Sequence, residues 1–131
     1  MNRRPFSVPL SVLELAAGAS NTAQYDGLSR GEKFVAEKAT RLTVGANLNS
    51  VAGNAEVLPL VLVNLLDGVN GQKLFANPVP LSSIAGTAGQ PFFFDPPLEF
   101  TAQPRAEFES VCADVEYQRV DLVLHGYIEK A

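Results

Sequence analysis

The chain has one cysteine, Cys112, one histidine, His125, and no tryptophan. A lone cysteine has no disulfide partner within the chain, which sets aside small disulfide-built folds and fits a reducing compartment. A zinc site of four cysteines, or of two cysteines and two histidines, is impossible within one such chain. Charged residues are also scarce, at 18% of 131 residues, and the net charge is -4. The global basic footprint of a nucleic-acid binder is therefore missing, although Arg3 and Arg4 form a short basic segment at the start. No apolar run approaches the ~20 residues of a membrane helix. Met1-Asn2-Arg3-Arg4 has the charge of a signal n-region, and Ala16-Ala17-Gly18-Ala19 has small residues of the kind found at a cleavage site. Between them, Pro5, Ser7, Pro9, Ser11 and Glu14 break what would have to be roughly 7–15 continuous apolar residues, so no secretory signal is expected.

What the sequence does contain is punctuation. Nine prolines and ten glycines cut an apolar chain into short pieces. Helix interiors tolerate neither residue, whereas short apolar pieces between turn signals indicate a sandwich or barrel. The length suits one domain over residues 1–131, since domains commonly run roughly 100–150 residues.

Phe6, Val8, Leu10 and Val12 alternate with Ser7, Pro9 and Ser11, a period of two that predicts an extended segment. The prolines bar it from a central strand position, so residues 1–15 are expected to be an N-terminal arm running into a first edge strand. Residues 16–31 are small and polar and predict a loop. Over 32–44, Phe34, Val35, Lys38, Ala39 and Leu42 would share a helical face, while Arg41-Leu42-Thr43-Val44 favours strand. Val57 to Leu66 is apolar on both faces, which predicts a strand covered on both sides, with Pro59 near its start or at a bulge. Asp67-Gly68-Val69-Asn70-Gly71 is a turn signal, with Gln72 to Ala76 pairing back. Leu81 and Ile84 suit one helical turn.

Three consecutive phenylalanines, Phe92-Phe93-Phe94, cannot all face one core from a strand, so at least one must meet a covering segment or a partner. Near the end, Ala106, Phe108, Ser110 and Cys112, and then Val120, Leu122 and Leu124, alternate with polar residues, as in an antiparallel sheet with one wet face. Asp114 and Glu116 are expected in a hairpin between these strands, and Cys112 as a buried, inert thiol. The sum is an all-β, antiparallel two-sheet sandwich of jelly-roll (Greek-key) type, with residues 16–131 forming the sandwich.

The search for catalytic chemistry returns little. His125, placed at the end of the last strand, suits a strand-end side chain better than a general base, and no Gly-x-Ser-x-Gly elbow accompanies it. Asp114 with Glu116, and Glu107 with Glu109, suit solvated charges better than a glycosidase pair. Asp67 and Asn70 lack EF-hand spacing, and no nucleotide-binding glycine pattern is present. No catalytic residue, metal or cofactor is therefore expected.

One ordered series of residues resembles a known family. It comprises Leu58-Pro59-Leu60-Val61, the Asp67-Gly68 turn, and Ala76-Asn77-Pro78-Val79-Pro80-Leu81-Ser82-Ser83-Ile84-Ala85-Gly86. Pro91-Phe92, Pro96, Phe100-Thr101-Ala102 and Val120-Asp121-Leu122-Val123-Leu124-His125-Gly126 complete it. Over roughly the C-terminal 75 residues the chain is similar to the small jelly-roll cement, or decoration, proteins of tailed bacteriophages. The resemblance implies a non-catalytic structural protein, made in the host cytoplasm, that clamps major capsid protein subunits on the outer surface of the virion. It also implies a homo-oligomer, with dimer favoured over trimer, and no nucleic-acid or membrane partner. Its N-terminal segment would reach to a neighbour, making Arg3, Arg4, Phe6, Val8, Leu10 and Val12 the expected capsid-binding residues. Two other classes stand beside this one. A carbohydrate- or receptor-binding module of a phage tail or fibre would need an aromatic or calcium site in its loops. A cupin-type enzyme would need clustered histidines.

Overall fold

A computed structural model describes residues 2–16, 18–45, 61–68, 72–75, 77–87, 89–110 and 117–130. The strands among them are β1 (Asn2–Leu15), β2 (Ser20–Gln24), β3 (Glu32–Gly45), β4 (Val61–Asp67), β5 (Gln72–Lys73), β6 (Val79–Pro80), β7 (Phe92–Phe100), β8 (Pro104–Ser110) and β9 (Tyr117–Lys130). Their pairings are antiparallel and make two sheets, ordered β1-β9-β3-β7 and β2-β8-β4-β5, with β6 also on β4. The expected antiparallel two-sheet sandwich is therefore observed.

The core lies between the sheets. β1 contributes Val8, Leu10, Val12 and Leu15, β9 contributes Val120, Leu122, Leu124 and Ile128, and β4 contributes Val61, Val63 and Leu65 from the facing sheet. Phe34 is central. Its ring stacks on Phe100 at 6.1 Å and takes the edge of Phe6 at 6.3 Å, and Phe6 in turn meets Tyr25 at 5.8 Å. The predicted helical turn is present as a short 3-10 turn at Leu81–Ser83, with Leu81 and Ile84 buried as expected.

Both faces of β4 are covered, and its own chain provides the cover. Asn64 is buried, and its side-chain amide donates to the Phe75 carbonyl and accepts from the Phe75 N–H. The turn after β4 is set by Gly68 at φ +94 and by Asp67, whose carboxylate accepts from the Thr101 and Ala102 N–H groups and from the Thr101 hydroxyl. Asp67 thus ties the start of one turn to the β7–β8 connection.

Several expectations change. Asn2–Leu15 is strand throughout and pairs with β9 from Asn2↔Lys130 to Leu15↔Tyr117, so the described segment is a docked edge strand with no free arm. Burying Val8, Leu10 and Val12 in its own core holds it there. Residues 16–31 contain β2, which alternation missed because only Ala23 of that strand faces the core. Glu32–Gly45 is strand throughout. A bulge between Ala36 and Lys38 adds one residue, so Phe34, Ala36 and Ala39 face inward at uneven spacing, which mimics a helical pattern. Phe92–Phe100 is one strand across Pro96 and Pro97, with its register interrupted between Phe93 and Leu98. β8 and β9 do not form a hairpin, because they belong to different sheets. Cys112, Asp114, Glu116, Pro59, Asn70 and Ala76 lie outside the described residues.

Gly126 sits where β9 runs beneath the bulge, and a methyl there would collide with the Val35 carbonyl. Gly126→Ala is expected to cost about 1–3 kcal/mol through this overpacking. Phe34→Ala is expected to cost about 3–5 kcal/mol through the cavity it leaves. Urea unfolding with matched slopes measures both. A Phe34→Ala loss below that of Gly126→Ala would be inconsistent with a core centred on the phenylalanine stack.

Candidate functional site on the outer face of the four-stranded sheet

The face of the four-stranded sheet that points away from the core is built by alternate residues of β1, β9 and β3. Their cross-strand register brings Ser7 beside His125 and His125 beside Lys38, and it sets Leu42 and Ser11 on either side of Asp121. His125 is therefore in mid-strand, not at a strand end. Its Nδ1 lies 3.0 Å from the Ser7 hydroxyl and its Nε2 lies 3.0 Å from the Thr40 hydroxyl. A neutral imidazole serves both by donating at one nitrogen and accepting at the other. Burial first, and then the Lys38 charge, hold the imidazole below its ordinary value of 6.5, which favours the neutral form.

A serine hydroxyl at this distance from an imidazole is half of a nucleophilic arrangement. Here, however, the second ring nitrogen meets Thr40, whereas a catalytic triad places a carboxylate there. The geometry accounts for His125 as a polar cross-link between β1, β9 and β3.

Beside it runs a groove of about 340 Å³, lined by Ser7, Lys38, Phe93, His125 and Gly126 among others. Lys38 lies 5.9 Å from the centre of the Phe93 ring. Of the three consecutive phenylalanines, Phe92 and Phe94 meet edge to face at 5.5 Å, while Phe93 turns to the outer side and is 65% exposed. Among the described residues Leu13, at 66%, Leu42, at 41%, and Phe92, at 39%, are the other exposed large apolar side chains, and the register puts Leu13 and Leu42 on this face. Alternation alone did not single them out. Leu13 follows an inward Val12, and only the sheet register shows that it and Leu42 flank β9.

The six residues expected to bind a partner divide into three groups. Val8, Leu10 and Val12 are core residues and are not available to a partner. Phe6 is half-buried in the aromatic cluster. Arg3 and Arg4 are exposed but engaged. Arg3 bridges Glu129 at 3.0 Å and lies 4.6 Å from the centre of the Tyr127 ring, and Arg4 reaches Glu32 at 3.4 Å.

On the opposite side of the molecule, a groove of about 280 Å³ is lined by Thr22, Asn64, Glu107 and Glu109, with a fully buried Phe108 at its floor. An exposed aromatic platform for a sugar ring is missing from its described lining. Among the described residues no three His, Cys, Asp or Glu side chains gather to hold a metal.

Known protein families, curated proteins and solved structures yield no match to this chain.

Because the folded imidazole is held below its ordinary value, its neutral form stabilises the fold. That contribution is full above about pH 6.5, the unfolded value, and is lost as pH falls through the lower folded value. A proton NMR titration of His125 is expected to give a midpoint below 6.5, moving toward 6.5 in Lys38→Met. A midpoint above 6.5 would reverse the sign and exclude burial as the governing cause.

Proposed function

We propose that this chain is a non-catalytic structural protein that decorates the outer surface of a bacteriophage head, binding the major capsid protein lattice and stabilising it. The observation that carries the reading is the set of solvent-facing apolar side chains, Leu13, Leu42 and Phe93, on one face of the sandwich. An exposed apolar set on a rigid sheet is what a lattice contact requires. A modest contact repeated over a shell gains strength from engaging several subunits, and binding only the assembled lattice stabilises it by linkage.

The winding of the chain supports the jelly-roll type that the resemblance implies. Successive strands alternate between the sheets except through β4, β5 and β6, and the orders β1-β9-β3-β7 and β2-β8-β4-β5 interleave as two Greek keys would. On this reading the protein acts in the virion as a homo-oligomer, a dimer in preference to a trimer. Its capsid contact is the outer face of the four-stranded sheet, with Arg3 and Arg4 at the margin and the inward residues of β1 serving only to hold that face in place.

Co-sedimentation with assembled heads, beside unassembled capsid subunits, tests the proposal. Saturable binding to heads alone is expected, at a fixed copy number per lattice position. Phe93→Glu and Leu42→Glu are each expected to weaken it at least tenfold while leaving the unfolding midpoint nearly unchanged. An absence of binding to heads would remove the decoration reading and favour a tail-associated, receptor-binding module.

A further inference from the structure

Every open sheet invites pairing at its edges, and natural sheets blunt those edges with prolines, charges, bulges or short strands. Among the described strands, three of the four edges are blunted. β1 carries Pro5 and Pro9. Both fall at positions whose side chains point outward, where the backbone also turns to the open edge, so they remove outward donors without costing a bond to β9. β7 carries Pro96 and Pro97 and loses its register around them. Among the described residues, the far edge of β4 holds the two-residue strands β5 and β6.

The fourth edge is β2, Ser20-Asn21-Thr22-Ala23-Gln24, which contains no proline and no charge. Which of its backbone groups point away from β8 follows from its bonds to that strand. The Ser110 N–H donates to the Ala19 carbonyl, and the Tyr25 N–H donates to the Pro104 carbonyl. Odd-numbered residues therefore face β8, and Ser20, Thr22 and Gln24 turn their N–H and C=O groups outward. The Thr22 N–H agrees with this direction: it donates to the side-chain oxygen of its neighbour Asn21, at 2.8 Å, a bond that pairing with another strand would exchange for a backbone carbonyl.

We propose that β2 is the self-association edge of this protein and pairs antiparallel with β2 of a second copy across a two-fold axis centred on Thr22. The occupant is argued from charge. With a net charge of -4, two copies repel over most of their surfaces, and an isologous contact sets each residue against its own symmetry mate. At β2 nothing charged is opposed. Thr22 meets Thr22, Ser20 meets Gln24, and Asp26 beyond the strand end meets Gly18. Among the described residues Glu107 and Glu109 lie one strand inward, so Glu107 stands about 14 Å from its mate and Glu109 about 20 Å, beyond the screening length at ordinary salt. The pair would close three reciprocal backbone bond pairs and fuse two five-stranded sheets into one. The proposal rests on the dimer expected above and specifies where it forms.

The test is sedimentation equilibrium of the full chain over a wide concentration range, with two variants. Thr22→Pro removes an outward N–H that β8 does not use, and Thr22→Lys opposes two like charges on the axis. Each is expected to raise the dimer dissociation constant at least tenfold without lowering the unfolding midpoint of the monomer. In a Cys112→Ser background, Thr22→Cys is expected to form a symmetric disulfide under mild oxidation, because paired Cα atoms would stand about 5.5 Å apart. Ser20→Cys, which faces Gln24, is expected to cross-link far less. A dimer that survives both substitutions at Thr22 would overturn β2 as the interface while leaving the dimer intact. A wild-type chain that stays monomeric would overturn the pairing and the dimer together, and co-sedimentation with heads would still decide the capsid reading separately.

Discussion

The pairing of the last strand with both the first and the third is the constraint on which the rest of this structure depends. β9 runs between β1 and β3 along its full length, from Lys130 opposite Asn2 and Glu32 to Tyr117 opposite Leu15 and Gly45. None of these partners is near it in sequence. The inner face of the four-stranded sheet therefore exists only once the two ends of the chain have met, and folding must close long loops before that burial is gained. Gly126 belongs to the same constraint, since β9 passes the bulge of β3 so closely that no side chain fits.

This pairing also creates the candidate site. His125 lies on β9, and its two hydroxyl partners lie on β1 and β3, so neither contact exists without the three-strand register. The same register aligns Leu13 and Leu42 on either side of β9 and sets Phe93 beside Lys38. The polar cross-link at the centre is flanked by exposed apolar side chains and by ion pairs, with Arg119–Asp121 lying between Leu13 and Leu42.

Edges and faces have complementary roles in this reading. The prolines of β1 and β7 close the four-stranded sheet to strand addition, so that sheet can offer a partner only its face. The five-stranded sheet has the converse arrangement, with an uncharged edge at β2 and carboxylates on its outer face. One sandwich can then present a docking face to a lattice and a pairing edge to a second copy, and neither contact obstructs the other.

The sequence by itself determined the class of the fold. Proline and glycine spacing favoured short strands over long helices, and strict alternation in Ala106–Ser110 and Val120–Leu124 identified core strands, because side chains on a strand must alternate between faces. It also placed the Leu81 turn and required one of the three phenylalanines to turn outward. Only the tertiary structure decided the rest. Alternation reports which residues are buried, not which strand lies alongside, so β8 and β9 read as a hairpin although they belong to separate sheets. The β1 segment read as an arm running into an edge strand because its apolar residues would suit a partner's core and its own core equally well, and the pairing with β9 makes all of Asn2–Leu15 strand. In β3 a single inserted residue at the bulge broke the period that sequence reading depends on. The surroundings of His125 were out of reach for the same reason, since Ser7 and Thr40 are distant in sequence and meet it only across strands.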